Sequence, residues 1–310
     1  MSDLLTPLFI STFIATCIAG VMPLLLASVG ETIGEQAGIL NLGIEGMMLA
    51  GAYVGYAVTI ASGSLWLGML GGAAGGMAMS LIMLVLNTWL GLNQIVLGIA
   101  ITIAGQGITS VLYQENYANG QVSITPDSWM IPGLSRIPAI GGSIFSQSGI
   151  FWLCIVLAIV VASFLARTNW GLSIRAAGQK PSSLDAAGGS VMNTRSQAVL
   201  LGGFFSGIGG AYLSLLVVGA FTPFMTQGLG YIAIVVTMLS RGRVWIVAII
   251  SVLYGFTQAL GAAMQLAGVS IPPQLISMLP YLVIMAVLLI FARSVYVSPV
   301  LGAPYTRGAR

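Results

Sequence analysis

Long apolar runs, separated by short clusters of polar residues, glycine and proline, repeat along this chain from end to end. They fall near residues 6–28, 40–61, 65–90, 92–113, 148–166, 197–218, 228–240, 244–267 and 275–293. A helix rises about 1.5 Å per residue, so about 20 apolar residues carry it across a hydrocarbon core of about 30 Å. The pattern predicts an all-α fold, a polytopic transmembrane helical bundle of about 8–10 spans with nine as the central count. Two places break the regularity. The run 228–240 is short, and the stretch 20–46 is interrupted by glycines and three glutamates, so each predicts a broken or re-entrant helix.

Composition supports this reading. Of 310 residues, 57% are hydrophobic and 5% charged, against about 25% charged in soluble domains. Such a chain cannot build a water-facing surface, and residues 1–310 read as a single transmembrane domain. Small side chains let membrane helices approach closely, so the 41 glycines read as packing surfaces. The pairs Gly51 with Gly55, Gly68 with Gly72, and Gly203 with Gly207 each place two on one helix face, for packing within the chain before dimerisation. Histidine is absent, which removes the usual general base, the commonest metal ligand and the Ser-His and Cys-His nucleophile pairs. Cys17 and Cys154 lie far apart in apolar runs, so neither a disulfide nor a metal site is expected, and no cofactor is implied. Nothing resembles a nucleic-acid footprint. The first charged residue, Asp3, is acidic, so the first apolar segment reads as retained rather than as a cleaved signal.

Charge assigns the loops to sides. With nine spans, Arg167, Arg175, Lys180, Arg195, Arg241, Arg243, Arg293, Arg307 and Arg310 share one side, and only Arg136 lies opposite. The positive-inside rule then places the loop 167–196 and the C-terminus in the cytoplasm. Parity leaves the N-terminus and residues 114–147 outside. The external segment, with Trp129 and the patch WMIPGLSRIPAI, suits a cap over the helix ends or a docking surface for an external partner.

Several polar residues carry candidate chemistry. Glu31, Glu35 and Glu45 surround the run GILNLGIEGMMLAGAY, and carboxylates at membrane depth are functional candidates by default. Glu45 falls in the first turn of its span, where it acts either as a cap of that helix or as part of a pathway. Asn93 and Gln94 open NQIVLGIAITIAGQGITSVLY, as interhelical glue or as pathway-lining amides. The loop RTNWGLSIRAAGQKPSSLDAAGG is either a solvated connector or a contact for a soluble protein. Pro181 would begin a helix there, serines would cap it, and Asp185 would sit near its positive end. The lone lysine, Lys180, follows Gln179, so the chain has no P-loop. Gly228, Gly230 and Ala233 match G-x-G-x-x-A without a preceding strand and read as helix packing.

At GILNLGIEGMMLAGAY the chain resembles the permease subunits of bacterial ABC importers for branched-chain amino acids, simple sugars and nucleosides. The similarity continues, in order and spacing, through NQIVLGIAITIAGQG, WMIPGLSRIPAIGGSIFSQSG, RTNWGLSIRAAGQKP and GLGYIAIVVTMLSRGR. The stretch from Asn41 to Gly46 is similar to the nucleoside class. The resemblance implies a multi-pass subunit of the bacterial plasma (inner) membrane that imports nucleosides without hydrolysing ATP itself. Its implied partners are an ATP-binding subunit, a second permease forming a heterodimer, and an extracytoplasmic substrate-binding lipoprotein. Arg175, Gly178, Pro181, Asp185 and Gly188 would then belong to a coupling helix resting on the ATPase. The chain departs from the family pattern at Gln179 and Lys180 and at Ser183 and Leu184. Asn41, Glu45, Asn93 and Gln94 would contribute weak polar contacts along the pathway. Import of sugars or branched-chain amino acids is the alternative substrate reading. An ion-coupled secondary transporter is the rival mechanism, and an intramembrane enzyme is disfavoured by the missing histidine and G-x-S-x-G elbow.

Overall fold

The computed structural model describes residues 7–117, 120, 122–126, 129, 141–267, 271–291, 298–303 and 305. Its helices are α1 (Pro7–Gln36), α2 (Ile44–Ser62), α3 (Leu65–Met83), α4 (Gln94–Tyr117), α5 (Gly141–Ile144), α6 (Gly149–Arg167), α7 (Asn169–Gln179), α8 (Pro181–Ala186), α9 (Val191–Tyr212), α10 (Leu229–Ser240), α11 (Val244–Leu266), α12 (Pro273–Ser277) and α13 (Leu279–Phe291). Among the described residues there is no strand. Wider π-helical turns extend α3 through Leu84–Trp89 and α9 through Leu213–Val218.

Eight helical segments are long and apolar enough to cross a membrane: α1, α2, α3, α4, α6, α9, α11, and α12 with α13. The twelve residues of α10 span only ~18 Å by helical rise. Its crossing is completed by an irregular stretch, residues 219–228, which leaves the far end of the bundle at Gly219, where the Ile124 amide donates to the Gly219 carbonyl at 2.7 Å. The described residues thus traverse the bundle nine times, with eight long helices and one broken passage. The other anticipated break lies later than the sequence suggested. α1 runs unbroken past Pro23 to Gln36, carrying Glu31 and Glu35 inside the helix, and the interruption is confined to residues 37–43. Gly38, at φ +84°, ends α1, and the Ile39 amide closes back on the Gly34 carbonyl at 2.9 Å.

α2, α3 and α9 form the centre, and the glycine pairs hold them together. A Cβ built on Gly207 would stand 3.0 Å from Gly76 Cα, and one on Gly72 would stand 2.9 Å from the Gly51 carbonyl. One on Gly203 would meet the Gly76 carbonyl at 2.7 Å. These glycines therefore pack within the chain, at separations no larger residue permits. α1 lies across α9 and α11, α4 covers α2, and α13 lies outermost against α10 and α11.

The described basic residues Arg167, Arg175, Lys180, Arg195, Arg241 and Arg243 gather at one end of the bundle. There the Gln36 side-chain amide donates to the Gly242 carbonyl, and Ser298 Oγ donates to the Gly178 carbonyl. The start of α1 lies at the opposite end, where Ser143 Oγ donates to the Ser11 carbonyl at 2.8 Å. Arg136, Arg293, Arg307 and Arg310, and residues 130–140 of the apolar external patch, lie outside the described residues. Of that segment, Trp129 packs near Gly149, and Tyr56 holds Val122 through its hydroxyl, which donates to the carbonyl at 2.8 Å and accepts from the amide at 3.1 Å.

Candidate functional site

Residues 37–43 climb back along α1 instead of leaving the bundle. The Asn41 amide donates to Glu31 Oε1 at 3.2 Å, and Asn41 Oδ1 accepts from the Gly43 amide at 3.0 Å, an Asx turn that feeds directly into α2. α4 supports the segment from outside. Gln94 Oε1 accepts from the Leu40 amide at 2.7 Å, and Thr102 Oγ1 donates to the Leu42 carbonyl at 3.0 Å. Glycines permit the contact: a Cβ on Gly98 would stand 2.7 Å from Leu42 Cβ, and one on Gly105 would stand 2.6 Å from Gly46 Cα.

Glu45 lies in the first turn of α2 and is 3% exposed. Its partners are not the free amides of its own helix. Oε1 accepts from Thr226 Oγ1 at 2.5 Å and from the Gly228 amide at 2.8 Å, while Oε2 accepts from the Gly230 amide at 2.8 Å. The carboxylate therefore caps the start of α10, about 180 residues away in the chain, where unsatisfied amides and the helix dipole favour an anion. This corrects the reading of Gly228 and Gly230 as packing residues alone: their amides bind an anion supplied by the same chain. A Cβ on Gly230 would stand 2.6 Å from the Glu45 amide nitrogen, so both the approach and the hydrogen bond require glycine.

The stretch leading to α10 is strained. Phe224 (φ +61°) and Gln227 (φ +46°) hold left-handed conformations that are costly for non-glycine residues, followed by Gly228 at φ +85°. Tyr281 of α13 donates to the Gln227 carbonyl at 3.0 Å. The passage is only partly covered: Gly219, Phe221 and Thr226 are buried, while Thr222, Phe224 and Gln227 are exposed, and the Glu45 carboxylate satisfies the amides of Gly228 and Gly230 that a broken helix leaves open at membrane depth.

The other proposed pathway residues occupy different surroundings. Asn41 and Gln94 are buried in and against the 37–43 segment that leads into α2, whereas Asn93 is exposed and caps α4, its Oδ1 accepting from the Ile95 and Val96 amides at 2.9 and 3.3 Å. Glu35 is 4% exposed, and both its carboxylate oxygens are without a hydrogen-bond partner among the described residues.

The presumed connector 167–196 is largely helical. α7 and α8 meet at Lys180 in an elbow, and Pro181 takes the first helical position of α8 as predicted. No serine caps α8, however, and Asp185 occupies its last turn, because the helix is only six residues long. Gly178 and Pro181 are buried, Arg175 Nη1 donates to the Leu165 carbonyl at 2.7 Å, and Gly188, at φ +81°, is exposed with Ser182, Ser183, Ala186 and Ala187. Arg195 is no loop charge: it lies inside α9 and is 5% exposed. Its signal was faint, a single cation just before the apolar run that begins at 197.

The model of the family "Branched-chain amino acid transport system / permease component" matches residues 13–288. A putative glucose ABC transporter permease of Haloferax volcanii is 36% identical over 286 residues, covering 86% of this chain and 87% of its own. A nucleoside ABC transporter permease of Lactococcus lactis is 32% identical over 280 residues, covering 87% and 88%. A guanosine ABC transporter permease of Bacillus subtilis is 28% identical over 302 residues, covering 93% and 94%. No solved structure matches the chain.

Proposed function

Because the chain belongs to the family of permease components of branched-chain amino acid transport systems, we propose that it forms one half of an ATP-driven import pathway for nucleosides in the bacterial plasma membrane. The observation that carries the mechanism is the α7–α8 elbow. It projects from the basic end on a chain without a P-loop, and it is anchored by buried Gly178 and Pro181 while a small polar face remains exposed. The basic end, with the C-terminal tail, faces the cytoplasm by the positive-inside rule.

In this reading an ATP-binding subunit receives the exposed edge of α8 and Gly188. Arg175 ties α7 to the end of α6, so a push on the elbow is passed into two helices rather than lost in a flexible loop. A second permease supplies the other half of the pathway, and an extracytoplasmic lipoprotein delivers substrate. Substrate passes the junction of Asn41, Glu45 and Gln94, with Asn93 at its mouth, as α10 shifts between two positions. Each position is set by which contacts α10 makes, and a shift exchanges its hydrogen bonds to Glu45 for others. Nucleosides are favoured by the Asn41–Gly46 stretch and by the nucleoside and guanosine permeases among its relatives. The 36% identical relative named for glucose supports a second reading, sugar import.

The test is uptake of radiolabelled guanosine, glucose and leucine by membrane vesicles carrying this chain with its partners. ATP-dependent guanosine uptake is expected, lost in Asp185→Arg at unchanged membrane abundance. Uptake driven by an ion gradient without the ATP-binding subunit would overturn the mechanism, and glucose uptake alone would overturn the substrate.

A further inference from the structure

Residues 298–303 and Tyr305 form a tail that reaches α7, α8, α9 and the turn that follows α1. Two successive turns shape it. The Leu301 amide donates to the Ser298 carbonyl at 3.0 Å around Pro299, and the Ala303 amide donates to the Val300 carbonyl at 3.1 Å around Gly302. The φ of +76° at Gly302 suits the third position of such a turn. The first turn buries Ser298, whose Oγ donates to the Gly178 carbonyl at the elbow. The second aims the Gly302 amide at the end of α1, where it donates to the Gly38 carbonyl at 3.1 Å. Tyr305 then packs against Ala177, Leu184 and Val191, one residue each from α7, α8 and α9.

Arg195 fastens the same point from inside the bundle. Its Nε donates to the Ala37 carbonyl at 3.2 Å and its Nη1 to the Ala303 carbonyl at 2.9 Å, so one guanidinium holds both the turn and the tail. A planar fork with donors in fixed directions suits such a bridge better than a flexible ammonium. Gly38 is where these elements converge. A Cβ built on it would stand 3.1 Å from Arg195 Nη2, 3.2 Å from Gly178 Cα and 3.3 Å from Val300 Cγ2. Gly178 is as tightly placed: a Cβ there would collide with the Gln36 carbonyl and stand 2.9 Å from the Gly38 amide nitrogen. The elbow and the turn therefore pack backbone to backbone, and the tail lies over their contact, with little side chain between them to absorb a displacement.

From Gly38 the chain runs through Asn41, bonded to Glu31, and Gly43 straight into α2 and Glu45, whose carboxylate caps α10. We propose that the tail is a strap that makes the elbow and the 37–43 segment move as one body, so that a displacement at α8 is delivered to the contact between Glu45 and α10. The proposal rests on the function proposed above, in which the elbow receives the ATP-binding subunit and α10 moves. Tightly packed elements switch between discrete arrangements and pass a shift on, where a loose connection dissipates it. Ser298, Gly302 and Arg195 are then positioning residues that act on the pathway through Gly38.

The test uses the full chain assembled with its partners in membrane vesicles, and the full chain alone in detergent. Gly302→Pro removes the amide that reaches Gly38 and cannot hold φ +76°, while a Cβ built on Gly302 meets nothing within 4 Å. Gly302→Asn keeps the amide and tolerates the left-handed region. In vesicles, uptake per ATP hydrolysed is read with whichever of guanosine, glucose and leucine the wild type takes up. Gly302→Pro is expected to lower it by about fivefold or more, the lower end of ordinary coupling between sites, and Gly302→Asn to restore it. In detergent, Gly302→Pro is expected to lose hydrogen-exchange protection in 37–43 and at the elbow together. Should Gly302→Pro fail to fold, Ser298→Ala, which releases the Gly178 carbonyl, carries both measurements. Uptake and hydrolysis that fall in equal proportion, or protection lost in the tail alone, overturn the strap. If wild-type vesicles show no ATP-driven uptake, the function proposed above fails instead. The exchange measurement, which needs neither ATP nor substrate, then still decides whether the tail binds elbow and turn into one body.

Discussion

The centre of the bundle and its broken passage solve the same problem by opposite means. Where α2, α3 and α9 meet, side chains are nearly eliminated, and backbone lies on backbone through Gly51, Gly72, Gly76, Gly203 and Gly207. Nothing polar is needed there, since each helix satisfies its own amides and close van der Waals contact holds the helices together. Where α10 begins, the helix has stopped short, its first amides have no carbonyl to accept them, and one buried carboxylate from α2 takes their place. The glycine seam has one good geometry. The capped junction has bonds that can be exchanged for others, which suits it to movement. α2 takes part in both, so the rigid and the movable halves share a helix.

Breaking the seam should have the largest effect. Gly207→Val places two extra methyl groups against Gly76 Cα, already 3.0 Å from a bare Cβ, and should cost at least about 3 kcal/mol. The protein should fail to elute as a single species after detergent extraction. Next comes Glu45→Ala, which strips three donors of their acceptor. At about 1–3 kcal/mol per unsatisfied buried group, partly relieved by relaxation, the expected loss is about 2–4 kcal/mol in thermal or denaturant unfolding. Glu45→Gln keeps the shape and should recover part of that loss, which distinguishes lost hydrogen bonds from a cavity. Gly230→Ala strikes the junction from the other side and should cost about 1–3 kcal/mol, with transport reduced more than abundance, because the clash falls on the element proposed to move. Asn93→Ala should be mildest, about 1 kcal/mol for a lost helix cap, with a small loss of uptake that matches its place at the mouth of the proposed pathway. If Gly230→Ala proves as damaging to folding as Gly207→Val, the contrast between seam and junction disappears.

The nine passages and the glycine pairs were legible in the sequence because membrane burial is nearly one-dimensional: a run of apolar residues reports its own environment. The meeting of Glu45 with Gly228 and Gly230 was not, since no periodicity links positions so far apart. The G-x-G spacing was visible, but without a preceding strand it pointed to packing, although a helix start binds anions whatever precedes it. Arg195 was assigned to a loop because the apolar run begins at 197, whereas α9 already starts at Val191, with Ser190 accepting from the Asn193 amide at 3.2 Å. Asp185 was misplaced by the brevity of α8: in a six-residue helix, four positions separate the start from the last turn.

The shortness of α10 bears on how the protein is made. Insertion into a bilayer is decided largely on apolar segments of about 19 residues, and α10 offers twelve. Its passage therefore has to be drawn in by neighbours already in the membrane, and the carboxylate that receives it was synthesised about 180 residues earlier. Until then Glu45 waits in α2 without its partners, so the last step of biogenesis and the proposed moving part of the transporter are one contact.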